Sequence, residues 1–159
     1  MSEESKVIWK GDDSSKNFII EMLNGNETHG FDVDSIYNCQ GRWVVIEFLK
    51  CDSEYVTPHT SHPNKYPWNW RKFVSLFKLS QKLEGDLYLV NYSDKDRDKD
   101  EVRIMKVSGI DYEALDKYVK SRIVRTNLNY VIIEPQDDLK INREEFQKWF
   151  LDLNSKSRG

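Results

Sequence analysis

The sequence GFDVDSIYNCQGRWVVIEFLKC, from Gly30 to Cys51, has the pattern of a β-hairpin with acidic residues inside its apolar runs. The dipeptide Gln40-Gly41 suits a two-residue turn, because glycine readily adopts the positive φ that tight hairpins need. We therefore predict one strand over residues 31–39 and a second over residues 42–51.

The predicted turn also fixes which residues of the hairpin face each other. It pairs Cys39 with Arg42, so that Asp34 stands directly across from Glu47 on one face of the hairpin. Both faces are otherwise largely apolar, as expected of a sheet that is covered on both sides. Two opposed carboxylates in such a place destabilise the strand pair, and an unpaired buried carboxylate costs several kcal/mol.

A divalent cation bound between Asp34 and Glu47 would offset this cost, because Mg²⁺ takes carboxylate oxygens as ligands and keeps several waters. The alternative is a register shifted by one residue, which would send the two carboxylates to opposite faces of the sheet. Each would then lie at a sheet edge or pair with a lysine. The spacing alone leaves both interpretations open.

The rest of the chain predicts helices and strands around this hairpin. The predicted helices cover residues 14–24, 69–84 and 111–122, and a last helix begins at Asn142, where Glu145 completes a capping-box pattern. The other predicted strands cover residues 86–93, 101–107 and 129–135. The connecting segments are the irregular stretch 52–67 and the charge run 93–100, which is typical of a solvated hairpin loop.

This order of elements predicts an α/β (α+β) fold, with a central mixed β-sheet flanked by helices. At 159 residues the chain has the length of one domain with one core. We expect a single domain over residues 1–154 and a disordered tail over residues 155–159.

The formal net charge is −3, so the chain as a whole offers no strong attraction to nucleic acid or to an anionic membrane surface. Any site for a polyanion must therefore be local. No stretch of sequence approaches the roughly 18 uninterrupted apolar residues of a membrane span, and no signal region precedes the first helix. We expect a cytoplasmic location.

Cys39 and Cys51 suggest either a disulfide or a zinc site completed by His59 and His62. The predicted hairpin puts Cys39 at the turn and Cys51 at the open end, some 25–30 Å apart at roughly 3.3 Å per residue. Neither a bridge nor a shared metal fits that separation. Two reduced, packed thiols agree with the cytoplasm.

The segment GFDVDSIYNCQGRWVVIEFLK resembles the core of the PD-(D/E)xK nuclease superfamily. That pattern has a glycine, a strand start of alternating apolar and acidic residues, a turn, and an apolar strand that ends in Glu-x-Lys. Here Asp34 matches the first metal-binding acid, and VVIE delivers Glu47. The order of elements over residues 14–93 is also similar to the superfamily's restriction-endonuclease-like αβββαβ core.

The lysine departs from the superfamily's pattern. Leu49 occupies the expected position, and Lys50 lies one residue later, where strict alternation points it away from Glu47 unless a β-bulge intervenes. In that superfamily the lysine can also come from the following helix, and Lys72 lies on the apolar side of the predicted helix 69–84. We therefore rank Lys50 first and Lys72 second.

Other polar residues carry weaker patterns. Basic side chains form one stripe of the predicted helix 69–84, next to the aromatic segment KYPWNW: Arg71, Lys78 and Lys82. This combination suits contact with phosphates and stacking on bases, and it equally suits a solvated helix face.

Two further acidic residues have weaker interpretations. Glu21 matches a helix glutamate of several families in the superfamily, and the alternative is that it is a plain surface residue. Asp32 has no assigned role.

The resemblance implies a Mg²⁺- or Mn²⁺-dependent nuclease in which Asp34 and Glu47 hold the metal and a lysine orients or deprotonates the attacking water. The implied substrate is DNA, with RNA as the alternative. Because the lysine is displaced, a second hypothesis is a non-catalytic module that keeps the nuclease fold and binds a protein or a nucleic acid. The position of the lysine amine relative to the two carboxylates separates the two hypotheses.

Overall fold

The computed structural model describes residues 13–51, 53–121 and 128–157. The chain divides after Phe31 into two compact units, residues 1–31 and residues 32–159. In the first unit, helix α1 covers Ser14–Leu23 and ends at Asn24, which adopts a left-handed conformation with φ of 49°. The prediction of a single domain over residues 1–154 stays a prediction, and its first 12 residues lie outside the described part of the chain.

The second unit is built on a five-stranded mixed sheet in the order β1-β2-β3-β4-β7. Its strands are β1 Ser35–Cys39, β2 Arg42–Lys50, β3 Asp86–Tyr92, β4 Glu101–Val107 and β7 Asp138–Asn142. The strands β2 and β3 are parallel, and the other neighbours are antiparallel. Two short strands, β5 Gly109–Ile110 and β6 Val131–Ile132, pair with each other in a second sheet. The α+β fold with a central mixed sheet is therefore confirmed.

The β1–β2 hairpin has the predicted register, with Cys39 opposite Arg42 and Ser35 opposite Ile46. Gln40 and Gly41 make the turn with φ values of 55° and 89°. Positive φ at both central residues is the geometry of a type I′ turn, whose twist matches the flanking strands. The alternative register, shifted by one residue, is wrong.

Three helices belong to the second unit: α2 Trp70–Lys82, α3 Tyr112–Ser121 and α4 Arg143–Lys156. One face of the sheet packs against α2 and α3, in a core that includes Val45, Leu89 and Phe73. The other face packs against the aromatic side chains of α4, in a core that includes Ile46 and Val90. Helices on both faces explain why the strands read as continuous apolar runs.

The α2 helix is also the crossover that joins the parallel strands β2 and β3. At its end, Gly85 passes so close to β2 that an added Cβ would lie 2.0 Å from the carbonyl oxygen of Trp43. Only glycine allows this approach.

Several predicted boundaries need correction. The strand predicted over 31–39 begins at Ser35, and the strand predicted over 129–135 is reduced to β6. The strand β7 was not predicted, because DLKIN is short and polar. The irregular stretch 52–67 contains a 3-10 turn over Pro63–Lys65, and a second such turn covers Pro67–Asn69.

The two ends of the last helix differ in how well they were predicted. Its capping box is confirmed, since the Glu145 backbone N–H donates to the Asn142 side chain at 2.8 Å. The disordered tail predicted over 155–159 is wrong at its start, because α4 continues to Lys156. Residues 158 and 159 lie outside the described part of the chain.

The charge run 93–100 is not wholly solvated. The Asp98 side chain is buried and accepts a 2.8 Å hydrogen bond from the Ser93 hydroxyl.

Among the described residues, no helix is both long and apolar enough to cross a membrane.

Candidate functional site

Glu47 is a charged residue in the core of the second unit. It lies in the second half of β2, opposite Leu89 of β3, and is only 2% exposed. Its neighbours on the same side of β2, Val45 and Leu49, belong to the core that α2 covers. A carboxylate in this place requires a partner or a proton.

The partner of Glu47 comes from α2. The Lys72 amine forms an ion pair with Glu47 Oε1, and the Lys72 side chain is about one-third exposed. The prediction ranked this lysine second, after Lys50. In the structure, the lysine that contacts Glu47 comes from the helix that follows the hairpin.

Lys50 makes a different contact. Its amine lies 3.0 Å from the Asp94 carboxylate, and both side chains are largely exposed. The strand β2 runs without interruption from Arg42 to Lys50 and contains no bulge in its pairing with β3. Strict alternation therefore holds, and the amine that contacts Glu47 is that of Lys72.

Asp34 lies immediately before β1, at the end of the hairpin ladder. Its Oδ2 atom accepts a 2.8 Å hydrogen bond from the backbone N–H of Phe48, the residue after Glu47. The last residue pair of the β1–β2 ladder is Ser35 with Ile46. Just beyond it, the Asp34 carboxylate is the acceptor for a backbone N–H of β2. This bond holds Asp34 near Glu47. Because Asp34 lies outside the β1–β2 ladder, its direct opposition to Glu47 on one face of the hairpin stays a prediction.

Burial raises the pKa of the Glu47 carboxyl from its ordinary value of 4.5 to about 7. The hydrogen bond and charge of Lys72 oppose this rise, and the negative charge of Asp34 adds to it. The like-charge repulsion expected from the sequence is therefore present, although desolvation is the larger cause.

Glu47 and Lys72 line a cavity of about 420 Å³ between the end of β2, the start of α2 and the loop that joins them. Tyr66, Asn69 and Ser61 add polar groups to its wall. Among the described residues, Glu47 Oε2 is buried and has no hydrogen-bond partner. A buried acceptor without a donor is a group that a cation or a protonated ligand can satisfy.

The donor set can be compared with what a divalent cation needs. No group of three or more His, Cys, Asp or Glu side chains that could hold a metal occurs within the described residues. Two carboxylates remain, Asp34 and Glu47. Mg²⁺ is usually bound through one or two carboxylates, with water and substrate phosphate completing its shell. The Glu47 carboxylate, with its orphan Oε2, and the neighbouring Asp34 carboxylate fit that mode of binding.

The loop that borders the cavity is fixed by a polar cluster that the sequence analysis missed. The Arg103 guanidinium donates to the Ser61 carbonyl oxygen at 2.7 Å and forms a bidentate ion pair with the Asp138 carboxylate. Asn91 donates to the same Ser61 oxygen at 2.9 Å and to the Pro58 oxygen at 3.1 Å. The burial of Arg103 depends on β7, which the sequence did not reveal.

The three predicted nucleic-acid-binding residues, Arg71, Lys78 and Lys82, are exposed on α2. The Arg71 guanidinium lies over the Trp70 ring at 5.5 Å, and the Lys78 amine lies 5.7 Å from the ring centre of Tyr112. The basic stripe thus has aromatic rings beside it. It lies on the same helix as Lys72.

The remaining candidates have structural contacts or lie apart. The His59 ring contacts Glu101 at 3.1 Å, and His62 Nδ1 accepts a hydrogen bond from the Asn64 backbone. Both cysteines are free. Glu21 is an exposed residue of the first unit, and Asp32 is exposed at the start of the second.

Comparison with known proteins adds no relative. No family model, no curated protein and no solved structure matches the chain.

Proposed function

We propose that the unit formed by residues 32–159 is a metal-dependent nuclease of the PD-(D/E)xK type, which hydrolyses phosphodiester bonds in DNA, with RNA as the alternative. One observation carries the proposal: Glu47 of β2 and Lys72 of α2 form an ion pair in the wall of one cavity, and Asp34 lies near Glu47, bonded to the backbone N–H of Phe48. This is the combination of two acids and a lysine that the sequence resemblance implies. It also supplies the lysine that the strand lacks.

Each residue has a distinct part in this proposal. Asp34 and Glu47 would hold Mg²⁺ or Mn²⁺, which would lower the pKa of a bound water and neutralise charge on the phosphate. Lys72 would orient the attacking water and place a positive charge beside the phosphate. The polar wall of the cavity would help to keep these groups in position, as would the loop around Ser61, which Arg103 and Asn91 fix by hydrogen bonds.

The basic stripe supports the same proposal. Arg71, Lys78 and Lys82 lie exposed on α2, the helix that carries Lys72, and would contact the phosphates that flank the scissile bond. Because the net charge is −3, this local stripe would set the position of the strand without giving tight nonspecific binding. We place this activity in the cytoplasm, where both cysteines would stay reduced.

The test is a cleavage assay with Mn²⁺ and Mg²⁺ on labelled single-stranded, duplex and branched DNA and on RNA. The wild-type protein should cut at least one substrate, and Glu47→Ala should abolish the cutting. Lys72→Ala should lower the rate by about 10²-fold, and Lys50→Ala should change it little, although both remove one lysine from the same region.

The comparison of the two lysines also separates the proposal from its rival. If no substrate is cut with either metal, catalysis is wrong, and the non-catalytic binding module becomes the working hypothesis. If Lys50→Ala is the variant that loses activity, then the assignment of Lys72 is wrong.

A further inference from the structure

A second cavity, of about 520 Å³, lies on the opposite face of the sheet from Lys72. It is lined by side chains of β2, β3, β4 and α4, and by Asp34. Its volume is within the roughly 300–1,000 Å³ of small-molecule sites. Of the three residues assigned to the proposed reaction, Asp34 lines this cavity, and Glu47 and Lys72 do not.

The wall of this cavity is aromatic. Phe48, Tyr92 and Phe146 line it, together with two valines. The rings of Phe48 and Tyr92 meet edge to face at 6.4 Å, and Phe146 stacks on Phe150 at 5.7 Å. Rings that are already packed against each other lose little freedom when a flat ligand stacks on them.

The rim of the cavity carries a fixed positive charge. The Arg143 guanidinium donates to the Ser93 carbonyl oxygen at 2.8 Å and also to the carbonyl oxygen of Lys99. These bonds use two of the five N–H groups of an arginine. The remaining donors suit a ligand that offers two neighbouring acceptors.

The cavity is connected to the proposed catalytic site through β2. Phe48 directly follows Glu47, and alternation places the two side chains on opposite faces of the strand. Asp34 lines the aromatic cavity and also bonds to the Phe48 backbone. The β1–β2 ladder ends at Ser35 and Ile46, so within the described residues β1 does not cover this part of β2. Asp34, which lines the aromatic cavity and acts electrostatically on Glu47, therefore lies where the two sites adjoin.

From this arrangement we infer that the aromatic cavity binds one unpaired nucleobase, with guanine preferred, next to the scissile phosphate. Base stacking on aromatic side chains tolerates every base, and an arginine fork matches the O6 and N7 acceptors of guanine. The inference rests on the proposed function for its biological meaning. It makes the substrate a single strand, or a duplex with an unpaired nucleotide.

The test uses guanosine, adenosine, cytidine and uridine, titrated into the full-length protein in EDTA and followed by NMR. Guanosine should bind most tightly, with intermolecular NOEs from its base protons to the rings of Phe48 and Phe146. Phe146→Ala should weaken guanosine binding by about tenfold or more. Leu151→Ala is the matched control, because Leu151 is an exposed residue of the same helix and should leave binding unchanged.

The arginine is tested separately. Arg143→Lys should remove the preference for guanosine over adenosine while stacking continues, because an ammonium does not reproduce the fork of a guanidinium. The NOE measurement needs no variant, so it decides the site even if Phe146→Ala does not fold.

The outcomes distinguish this inference from the proposed function. Guanosine binding requires neither metal nor cleavage, so it can succeed when the cleavage assay fails. The inference is overturned if no nucleoside binds at millimolar concentrations, if the NOEs map elsewhere, or if Phe146→Ala binds guanosine as tightly as the wild type does. An active nuclease that cuts fully paired duplex as fast as single strands would also overturn it.

Discussion

At the scale of single residues, Glu47 shows how a sequence pattern can reveal a physical conflict. A glutamate inside the run VVIEF is conspicuous because its neighbours are core residues, and the structure places it at 2% exposure. The turn at Gln40-Gly41 was enough to predict which acid stands beside it. The identity of the lysine was not predictable in the same way, because the sequence shows neither whether a β-bulge turns Lys50 toward Glu47 nor how far a helix residue reaches.

The raised pKa of Glu47 predicts a specific dependence of stability on pH. The folded-state value of about 7 lies above the ordinary value of 4.5, so the folded protein binds more protons than the unfolded chain between these values. The contribution of this group to stability is complete below about pH 4.5 and is lost as the pH rises to about 7, a change of about 3 kcal/mol.

The Glu47→Gln variant has no carboxyl group to ionise at this position, so it should not lose stability as the pH rises across this range. In metal-free buffer, the variant should gain stability relative to the wild type as the pH rises across this range, as measured by urea unfolding at about pH 4.5, 6 and 7.5. Glu144→Gln, an exposed change on α4, should show no such trend. A constant difference between Glu47→Gln and wild type across the range would mean that the pKa of Glu47 is ordinary.

Tyr130 offers a second test at this scale. Its side chain is 0% exposed, and its hydroxyl has no hydrogen-bond partner within the described part of the chain. Burial also raises the pKa of this phenol. Removing a buried, unsatisfied hydroxyl while the ring remains should relieve a cost of about 1 kcal/mol or more.

Tyr130→Phe should therefore raise the thermal midpoint by a few degrees in a calorimetric scan. Tyr118→Phe is the comparison, since Tyr118 is a half-buried neighbour of the same core, and it should have a smaller effect. A lower midpoint for Tyr130→Phe would show that the hydroxyl has a partner that stabilises the fold.

At the scale of elements, the predictable parts are those with local rules. The type I′ turn, the capping box of α4 and the strand Glu101–Val107 follow from a few adjacent residues. The strand β7 does not, because its Leu139 and Lys140 are exposed and it pairs only through β4 at the sheet edge. Tertiary pairing, and not local propensity, makes DLKIN a strand.

The close approach of α2 to β2 predicts the effect of a single methyl group. Gly85→Ala would place its Cβ 2.0 Å from the Trp43 carbonyl oxygen, which is backbone and cannot move aside cheaply. We expect a loss of about 2 kcal/mol or more in stability, measured by chemical denaturation. Gly109→Ala is the control, because its nearest neighbour, a side-chain carbon of Ile132, lies at 3.6 Å and makes ordinary contact. Equal stability of the two variants would contradict this account of the junction.

At the scale of the whole molecule, the sequence predicted a mixed sheet flanked by helices, but it missed the edge strand β7. The α2 crossover brings Lys72 over β2, and the hairpin brings Asp34 beside Glu47. What it could not predict was the packing of the loop around Ser61, since that depends on side chains from three distant strands. The arrangement of the site is therefore a property of the assembled sheet.

The most direct measurement of the central claim is a calorimetric titration of the protein with Mn²⁺ at about pH 6.5, in buffers of different ionisation enthalpy. At this pH the Glu47 carboxyl, with its pKa of about 7, is mostly protonated and must release its proton when a cation binds. The account predicts one bound ion with most of one proton released, binding at least about tenfold weaker in Asp34→Asn, and no proton release in Glu47→Gln. If no ion binds at millimolar concentrations, or if the ion binds Glu47→Gln as tightly as the wild type and the wild type releases no proton on binding, then Asp34 and Glu47 do not form a metal site.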